Sequence, residues 1–359
     1  MKYFDHVGFR AGLGAALGVG AMIYLGSRGM KHFDLALSTY AVGSLFAAFA
    51  VAYRYAVWAQ RPPTKMYLKR GWELFLKNGV SGLRKESPVQ QPVRVASNTL
   101  TLGRALLENF FLQKFIGKRS YQRWIMHACL SWGGMLAFAI TFPLVFGWVH
   151  FQTAPGDAEV YRLFVFGFEA DQFNVHSFKA FIFFNLLNLS AVLVIAGLAL
   201  AVKLRMSDRG ELAIQTFADD VMPLFLLFLV AGTGLMLTVS AKFLAGYGFA
   251  FIGMAHAASV IALLLYLPFG KLFHIFQRTA SLGVSFYKKA GEKGPRAACL
   301  RCGEDFASQM HVADLKTVLD EVGFNFRFAT ASGEIHYQDI CPVCRRRLLA
   351  LNQGKTIGR

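Results

Sequence analysis

Six stretches of the chain are apolar and free of charge over lengths that can cross a bilayer. They run from Ala11 to Ser27, Leu35 to Tyr53, Trp124 to Gly156, Ala180 to Val202, Val221 to Ala241 and Phe243 to Gly270. Each can hold a spanning helix of roughly 20 residues. The first is short and rich in glycine; it has a basic start, but no small-x-small cleavage site follows, so it reads as an uncleaved helix rather than a signal peptide. The pattern predicts an all-α polytopic membrane protein with six transmembrane helices, followed by a small polar tail.

The segments between and after these runs divide the chain further. Residues 1–58 hold two N-terminal spans, 59–120 an interfacial segment, 121–278 a four-helix core, 279–298 a linker and 299–359 a cysteine-bearing domain. Within the interfacial segment, Met66 to Leu83 and Leu100 to Phe115 mix apolar and basic residues at helical spacing, as helices lying on a membrane surface do, with a break from Ser87 to Pro92. In the tail, Val312 to Val322 predicts a short helix and Asn325 to Tyr337 a strand or hairpin around Ser332 and Gly333. Gly291, Gly294 and Pro295 predict a movable link over Ser281 to Arg296.

Composition agrees with the membrane reading: 55% of residues are hydrophobic and only 16% charged, which does not suit a soluble domain. Charge then sets an orientation. Between Trp58 and Arg123 thirteen Lys or Arg face Glu73, Glu86 and Glu108, whereas between Val149 and Phe178 only Arg162 faces Asp157, Glu159, Glu169 and Asp171. By the positive-inside rule the first loop is cytoplasmic and the second external, which places both termini in the cytoplasm of a bacterial-type inner membrane. Arg28 and Lys31 are exceptions on the outer side. The net charge of +17 is largely this cytoplasmic excess, so it points to anionic lipid or an acidic partner and not to nucleic acid.

Candidate chemistry begins with histidines. His256 lies in the sixth run and His274 eighteen residues further on, just past its end. That is five turns at about 3.6 residues each, so in one continuous helix both imidazoles point the same way, about 27 Å apart along the axis. The separation nearly spans the ~30 Å hydrocarbon layer. Ionisable residues within spans are functional candidates by default. His127 opens the third span at the same predicted depth as His274. Two facing imidazoles supply both axial ligands of a low-spin haem, and Arg123, Lys271 and Arg278 are close enough in sequence to neutralise propionates.

The segments RWIMHACLSWGGMLAFAIT (Arg123 to Thr141) and MAHAASVIALLLYLPFGKLFHIF (Met254 to Phe276) resemble the haem-bearing helices of the gamma subunit of respiratory nitrate reductase. They are also similar to relatives in membrane heterodisulfide reductase and in the membrane complex associated with dissimilatory sulfite reductase. The resemblance covers roughly Tyr121 to Arg278, and the Leu-Pro-Phe-Gly-Lys-Leu-Phe-His ending is its most specific part. It implies a cytochrome b that passes electrons between membrane quinone or quinol and an iron-sulfur or molybdenum partner on the cytoplasmic side, in a hetero-oligomeric complex. By that pattern His127 and His274 hold the inner haem and His256 one side of an outer haem. The pattern's second outer histidine falls at Ala137 here. Candidate replacements are His150, His176 and His32; the other arrangements are a five-coordinate outer haem, or a single haem with His256 on a quinone oxygen. Trp148, His150, His176, Lys242 and Tyr247 lie where an outer quinone site would form, which is also where an ordinary aromatic belt would lie.

The tail carries an independent signal. Cys299-x-x-Cys302-Gly and Cys341-Pro-x-Cys344 are separated by thirty-eight residues, and the only other cysteine is Cys129 in the third span. Two such pairs converge naturally on one tetrahedral ion, as in zinc ribbons or rubredoxin-like iron sites; a cytoplasmic location argues against two disulfides. Zinc is the expected metal, since Arg301 and Arg345 to Arg347 suggest a solvated knuckle, with iron the alternative in an electron-transfer chain. His311 and His336 are spare donors.

No nucleotide-binding loop, triad or paired-carboxylate site presents itself. Two classes therefore remain: the cytochrome b subunit of a quinone-linked oxidoreductase, and a membrane anchor or assembly protein with a structural or regulatory zinc domain.

Overall fold

The computed structural model describes residues 5–75, 91–207, 209–324, 326–330 and 333–357. In chain order the helices are α1 (His6–Gly26), α2 (Ser38–Ala59), α3 (Pro62–Glu73), α4 (Gln91–Leu106), α5 (Lys114–Gly117), α6 (Tyr121–Val145), α7 (Phe178–Ser207), α8 (Arg209–Ile214), α9 (Met222–Phe243), α10 (Phe249–Tyr266), α11 (His274–Lys293), α12 (Gln309–Val322) and α13 (Pro342–Ile357). Strands β1 (Val149–Ala154), β2 (Asp157–Val165) and β3 (Phe168–Asn174) form an antiparallel sheet between α6 and α7. Two further ribbons, β4 (Arg296–Ala298) with β5 (Asp305–Ser308) and β6 (Arg327–Thr330) with β7 (Gly333–His336), lie in the tail.

Among the described residues, six helical segments are long and apolar enough to cross a membrane: His6–Gly26, Leu35–Ala59, Tyr121–Val145, Phe178–Ser207, Phe217–Phe243 and Phe249–Tyr266. In their most apolar windows only 6% to 28% of residues are buried, so most of their hydrophobic surface faces outward. Such a surface requires a lipid solvent, and the chain is a multi-pass membrane protein.

The residues group into two compact units, 1–56 with 108–276, and 57–107 with 277–359. In the first, small residues let helices approach closely, as membrane packing requires. A Cβ on Gly133 of α6 would fall 2.7 Å from Val194 and 2.9 Å from the Ser190 carbonyl of α7, while one on Gly197 of α7 would meet Leu130 at 2.8 Å. Ser190 also donates to the Gly133 carbonyl at 2.8 Å. Val194, Leu198 and Ala231 form the buried centre between α7 and α9.

Several features differ from the hydrophobic pattern. The third apolar run extends to Gly156, but α6 stops at Val145; Gly147, at φ 69°, turns the chain into β1. The region read as an external loop is mainly the β1–β3 sheet. The sixth run is not one helix through His274: α10 ends at Tyr266, and His274 instead opens α11. Pro268 cannot donate a backbone hydrogen bond, which favours a break there. Arg54 of α2 donates to the Pro268 carbonyl, and its guanidinium lies 4.4 Å from the centre of the Phe273 ring. The same-face argument for His256 and His274 therefore fails, since it assumed unbroken helical phase.

In the second unit, α3 accounts for the start of the Met66 to Leu83 segment; the part from 76 to 83, like most of the expected break, lies outside the described residues. The other interfacial segment begins in this unit with the end of α4; its wide helical turn, Leu107–Phe111, falls almost wholly in the first unit. Ser281 to Arg296, read as a link, is mostly α11. The expected tail helix is α12, and the hairpin is β6–β7; Ser332 lies outside the described residues. The unit is tied together at Asp314 of α12, which is buried and receives Arg70 of α3 and Tyr287 of α11.

Candidate functional site

The four tail cysteines come together. Cys299 follows β4 and Cys302 lies in the turn before β5, where Gly303 (φ 78°) reverses the chain and its N–H bonds the Cys299 carbonyl at 2.8 Å. Cys341 immediately precedes α13, and Cys344 is in its first turn. The four sulfurs all lie within 4.8 Å of one another, and the Cys302 and Cys341 Sγ atoms are 3.8 Å apart. Backbone N–H groups point at them: Arg301 and Cys341 donate to Cys299 Sγ at 3.4 and 3.2 Å, and Cys344 donates to Cys341 Sγ at 3.4 Å. Amides aimed at sulfur, together with the positive end of a helix, favour thiolates.

The thiols accordingly differ. Burial pushes the Cys299 thiol up, but the amides of Cys341, Cys302 and Arg301 more than offset it and hold the group at about 6. Burial and neighbouring sulfurs push the Cys344 thiol up to about 12. Four sulfurs crowded this closely cannot all ionise without a cation between them, and the cluster is able to hold a metal ion that would supply it. Cys299, Cys341 and Cys344 are buried with Ile340, while Cys302 is exposed. The arginines brace this centre: Arg301 donates to the Cys344 carbonyl at 3.4 Å and Arg345 to the Ile340 carbonyl at 2.6 Å.

The spare histidines lie elsewhere. His311 stands beside Tyr67 and Tyr287 in a cleft of about 240 Å³, and burial depresses its pKa. His336 accepts the Gln338 N–H at 3.0 Å through Nδ1.

In the membrane unit, His127 of α6 and His274 at the start of α11 do meet. Their ring centres are 6.4 Å apart with planes at 72°. His274 Nδ1 donates to the Lys271 carbonyl at 2.6 Å. His127 Nδ1 lies 2.8 Å from the side-chain oxygen of Gln113. With acceptors at Nδ1, both rings carry their hydrogen there and Nε2 is the lone-pair nitrogen that could take a metal. Lys271 reaches this pair through its backbone, while its ammonium forms an ion pair with Asp220. Arg123 lies in the exposed first turn of α6.

His256, midway along α10, is held by Thr233 of α9 at 2.9 Å. Thr233 gives its hydrogen to the Leu229 carbonyl at 2.5 Å, so it accepts from His256 Nδ1. Among the described residues no hydrogen bond or ring contact joins His256 to His32, His150 or His176. His150 on β1 instead stacks on His32, with ring centres 4.3 Å apart, and on Phe164 of β2 at 5.0 Å. His176 is exposed, with its N–H bonded to Asn174. Trp148 packs on Gly26, Lys242 donates to Asn185 at 3.2 Å, and Tyr247 is exposed. Among the described residues no hydrogen bond or ring contact joins Trp148, His150, His176, Lys242 and Tyr247 to one another.

Gln113 and Arg54 are not legible as candidates in the sequence. The only signal at Arg54 is its place at the end of an apolar run; Gln113 has no local signal at all. Comparison of the chain with protein-family models, curated proteins and solved structures finds no match.

Proposed function

We propose that this chain is a membrane-anchor subunit or assembly protein, in which six spanning helices carry a four-cysteine domain loaded with structural zinc. The observation that carries this reading is the convergence of the four sulfurs. A tetrahedral zinc ion with bonds of about 2.3 Å sets its sulfurs roughly 3.8 Å apart, and Cys302 and Cys341 already stand at 3.8 Å. One knuckle is a strand turn and the other a helix start, so the metal would hold β4–β5 to α13. Elemental analysis of the purified full-length chain tests the reading. About one zinc per chain is expected; a metal-free tail that remains folded would overturn it, and iron in place of zinc would change the metal alone.

A second, more specific reading is favoured by the histidine pair: on the same anchor, a haem b that passes electrons between membrane quinone and an iron-sulfur partner. Metal–imidazole bonds of about 2.0 Å, with ring nitrogens about 1.1 Å from the ring centre, put facing ring centres roughly 6.2 Å apart. The observed separation of His127 and His274 is 6.4 Å. Both rings also have an acceptor on Nδ1, the arrangement expected of metal-bound histidines. Haem at this position would supply single-electron transfer without an open site for substrate. The protein's part is to fix the ring planes, hold the two hydrogens on Nδ1 and exclude water.

The same fit is not found at His256. It has Thr233 beside it and, among the described residues, no hydrogen-bonded or ring-stacked second histidine; this favours one haem, with His256 serving a quinone oxygen. The positive-inside pattern would put the haem and the four-cysteine domain on the cytoplasmic side of a bacterial-type inner membrane and quinone on the other. Pyridine haemochrome quantification of the purified protein tests this reading: b-type haem is expected, and its absence from protein made under haem-replete conditions would leave the anchor reading alone.

A further inference from the structure

The chain just before α5 is gripped by α6 at four points. Trp124 Nε1 donates to the Leu112 carbonyl at 2.8 Å and Trp132 Nε1 to the Phe111 carbonyl at 3.0 Å. Between them, the Gln113 side chain reaches His127 Nδ1 at 2.8 Å and Ser131 Oγ at 2.5 Å. Trp124, His127 and Ser131 follow one another at spacings of three and four residues, so they share a stripe of α6.

Gln113 has φ 50° and ψ 38°, the left-handed region, which a residue with a side chain rarely occupies. Its residue surface is 3% exposed. A strained backbone, kept because its surroundings determine it, is a reason to seek a role for the side chain it places.

Hydrogen-bond accounting sets the direction of the network. Ser131 Oγ has one hydrogen, which it directs to the Ala128 carbonyl at 3.4 Å. It therefore accepts from Gln113 Nε2, and the amide oxygen faces His127. That oxygen can only accept, so His127 Nδ1 donates and Nε2 carries the lone pair. The two tryptophans hold the amide in position by fixing the carbonyls immediately before it. On the opposite ring the acceptor is the Lys271 carbonyl, which no side-chain substitution can remove.

We propose that Gln113 is the positioning residue for His127, fixing its tautomer and ring plane and tuning how strongly it donates to haem iron. This rests on the haem reading above. A ring whose Nδ1 hydrogen is drawn harder by its acceptor is a stronger donor, and a stronger donor favours ferric iron. The chemistry predicts a direction for each variant. Gln113→Glu presents a carboxylate and lowers the haem midpoint potential. Gln113→Leu, similar in size but without an acceptor, raises the potential and weakens haem retention by about 10–100-fold.

The test is a potentiometric titration of the full-length haem-loaded protein with electron paramagnetic resonance of its ferric state, for the wild type, Gln113→Glu, Gln113→Leu and His127→Ala. Opposite potential shifts in the two Gln113 variants, with altered low-spin g values, are expected. If Gln113→Leu does not fold, the Gln113→Glu shift alone decides. Unchanged potential and g values in Gln113→Glu, in protein whose haem is lost on His127→Ala, would overturn the role of Gln113 and leave the haem reading standing. Absence of haem from the wild type would remove both.

Discussion

Tyr287 donates its phenolic hydrogen to Oδ2 of Asp314 at 2.7 Å, and both residues are buried. Arg70 takes the other carboxylate oxygen through Nε and Nη2 at 3.0 and 2.7 Å. Helix α3, distant in sequence, and the consecutive helices α11 and α12 thus meet on one charge. Burial, then the Asp314 carboxylate, pushes the Tyr287 pKa well above its ordinary value, so the phenol remains a donor.

Removing a partner should therefore cost stability. Arg70→Met leaves a buried carboxylate with one donor; because the guanidinium is itself partly exposed, the loss is about 2 kcal/mol, below the range for fully buried pairs. Tyr287→Phe should cost roughly 1 kcal/mol. Limited proteolysis of the full chain should show faster cleavage near α12 in both, with Arg70→Met the faster. Equal rates in wild type and Arg70→Met would show that the network is not stabilising.

The cysteines should not be equivalent. Cys302 is exposed while Cys341 is buried and receives the Cys344 amide. Cys302→Ser leaves three buried sulfurs and an accessible position that water can fill, whereas Cys341→Ser also removes a sulfur from the packed centre. Competition with a chelator should release metal from Cys341→Ser at least 10-fold more readily than from Cys302→Ser, on the scale of a disturbed metal shell. Release at equal chelator concentrations would contradict the asymmetry.

Adjacent glycines of α6 offer a controlled comparison. A Cβ at Gly133 meets Val194 at 2.7 Å and a backbone oxygen at 2.9 Å; one at Gly134 meets nothing within 4 Å. Gly133→Ala should lower stability by about 1–3 kcal/mol through overpacking against α7, and Gly134→Ala should be neutral or slightly stabilising, since alanine is the better helix former. Thermal unfolding in detergent measures both; a matched loss would mean that α6 and α7 are not packed this closely.

What could be read from the sequence follows from how local each signal is. The six spans were legible because each is a continuous apolar run, and the four-cysteine cluster because ligand spacing within each pair is fixed by its own turn. The β1–β3 sheet does not emerge from the hydrophobic pattern although Pro155-Gly156 and Phe166-Gly167 punctuate it, because the segment's acidic residues carry information on topology and not on strands. Pro268 was likewise visible, yet an uninterrupted hydrophobic pattern hid the helix break. Gln113 could not be found by periodicity: its contacts are made fourteen and eighteen residues away, across a turn and against another helix. The pairing of His150 with His32, more than a hundred residues apart, also depends wholly on tertiary packing.

That histidine stack should make the β1–β3 sheet sensitive to acid. His150 lies between His32 and Phe164, and both of its ring nitrogens are shielded from solvent. Burial, followed by the nearby His32, depresses its pKa, against a smaller opposing effect of the Gly147 backbone. The unfolded chain, with an ordinary histidine pKa of about 6.5, then binds more protons than the folded one in the window between the two values. Stability therefore rises with pH through that window; the sheet keeps its full stability above about 6.5 and loses it progressively below. Arg162, whose guanidinium lies 5.2 Å from the centre of the Phe164 ring, adds positive charge nearby and pairs with Glu169 across β2 and β3. Hydrogen exchange of the 149–174 amides, corrected for intrinsic pH dependence, should report lower protection near pH 5 than near pH 8. His150→Phe keeps the stacked ring without its titration, so its protection should vary less with pH. If wild type and His150→Phe lost protection equally on acidification, the sensitivity would have to be assigned to another group, with the Arg162 and Glu169 pair the next to examine.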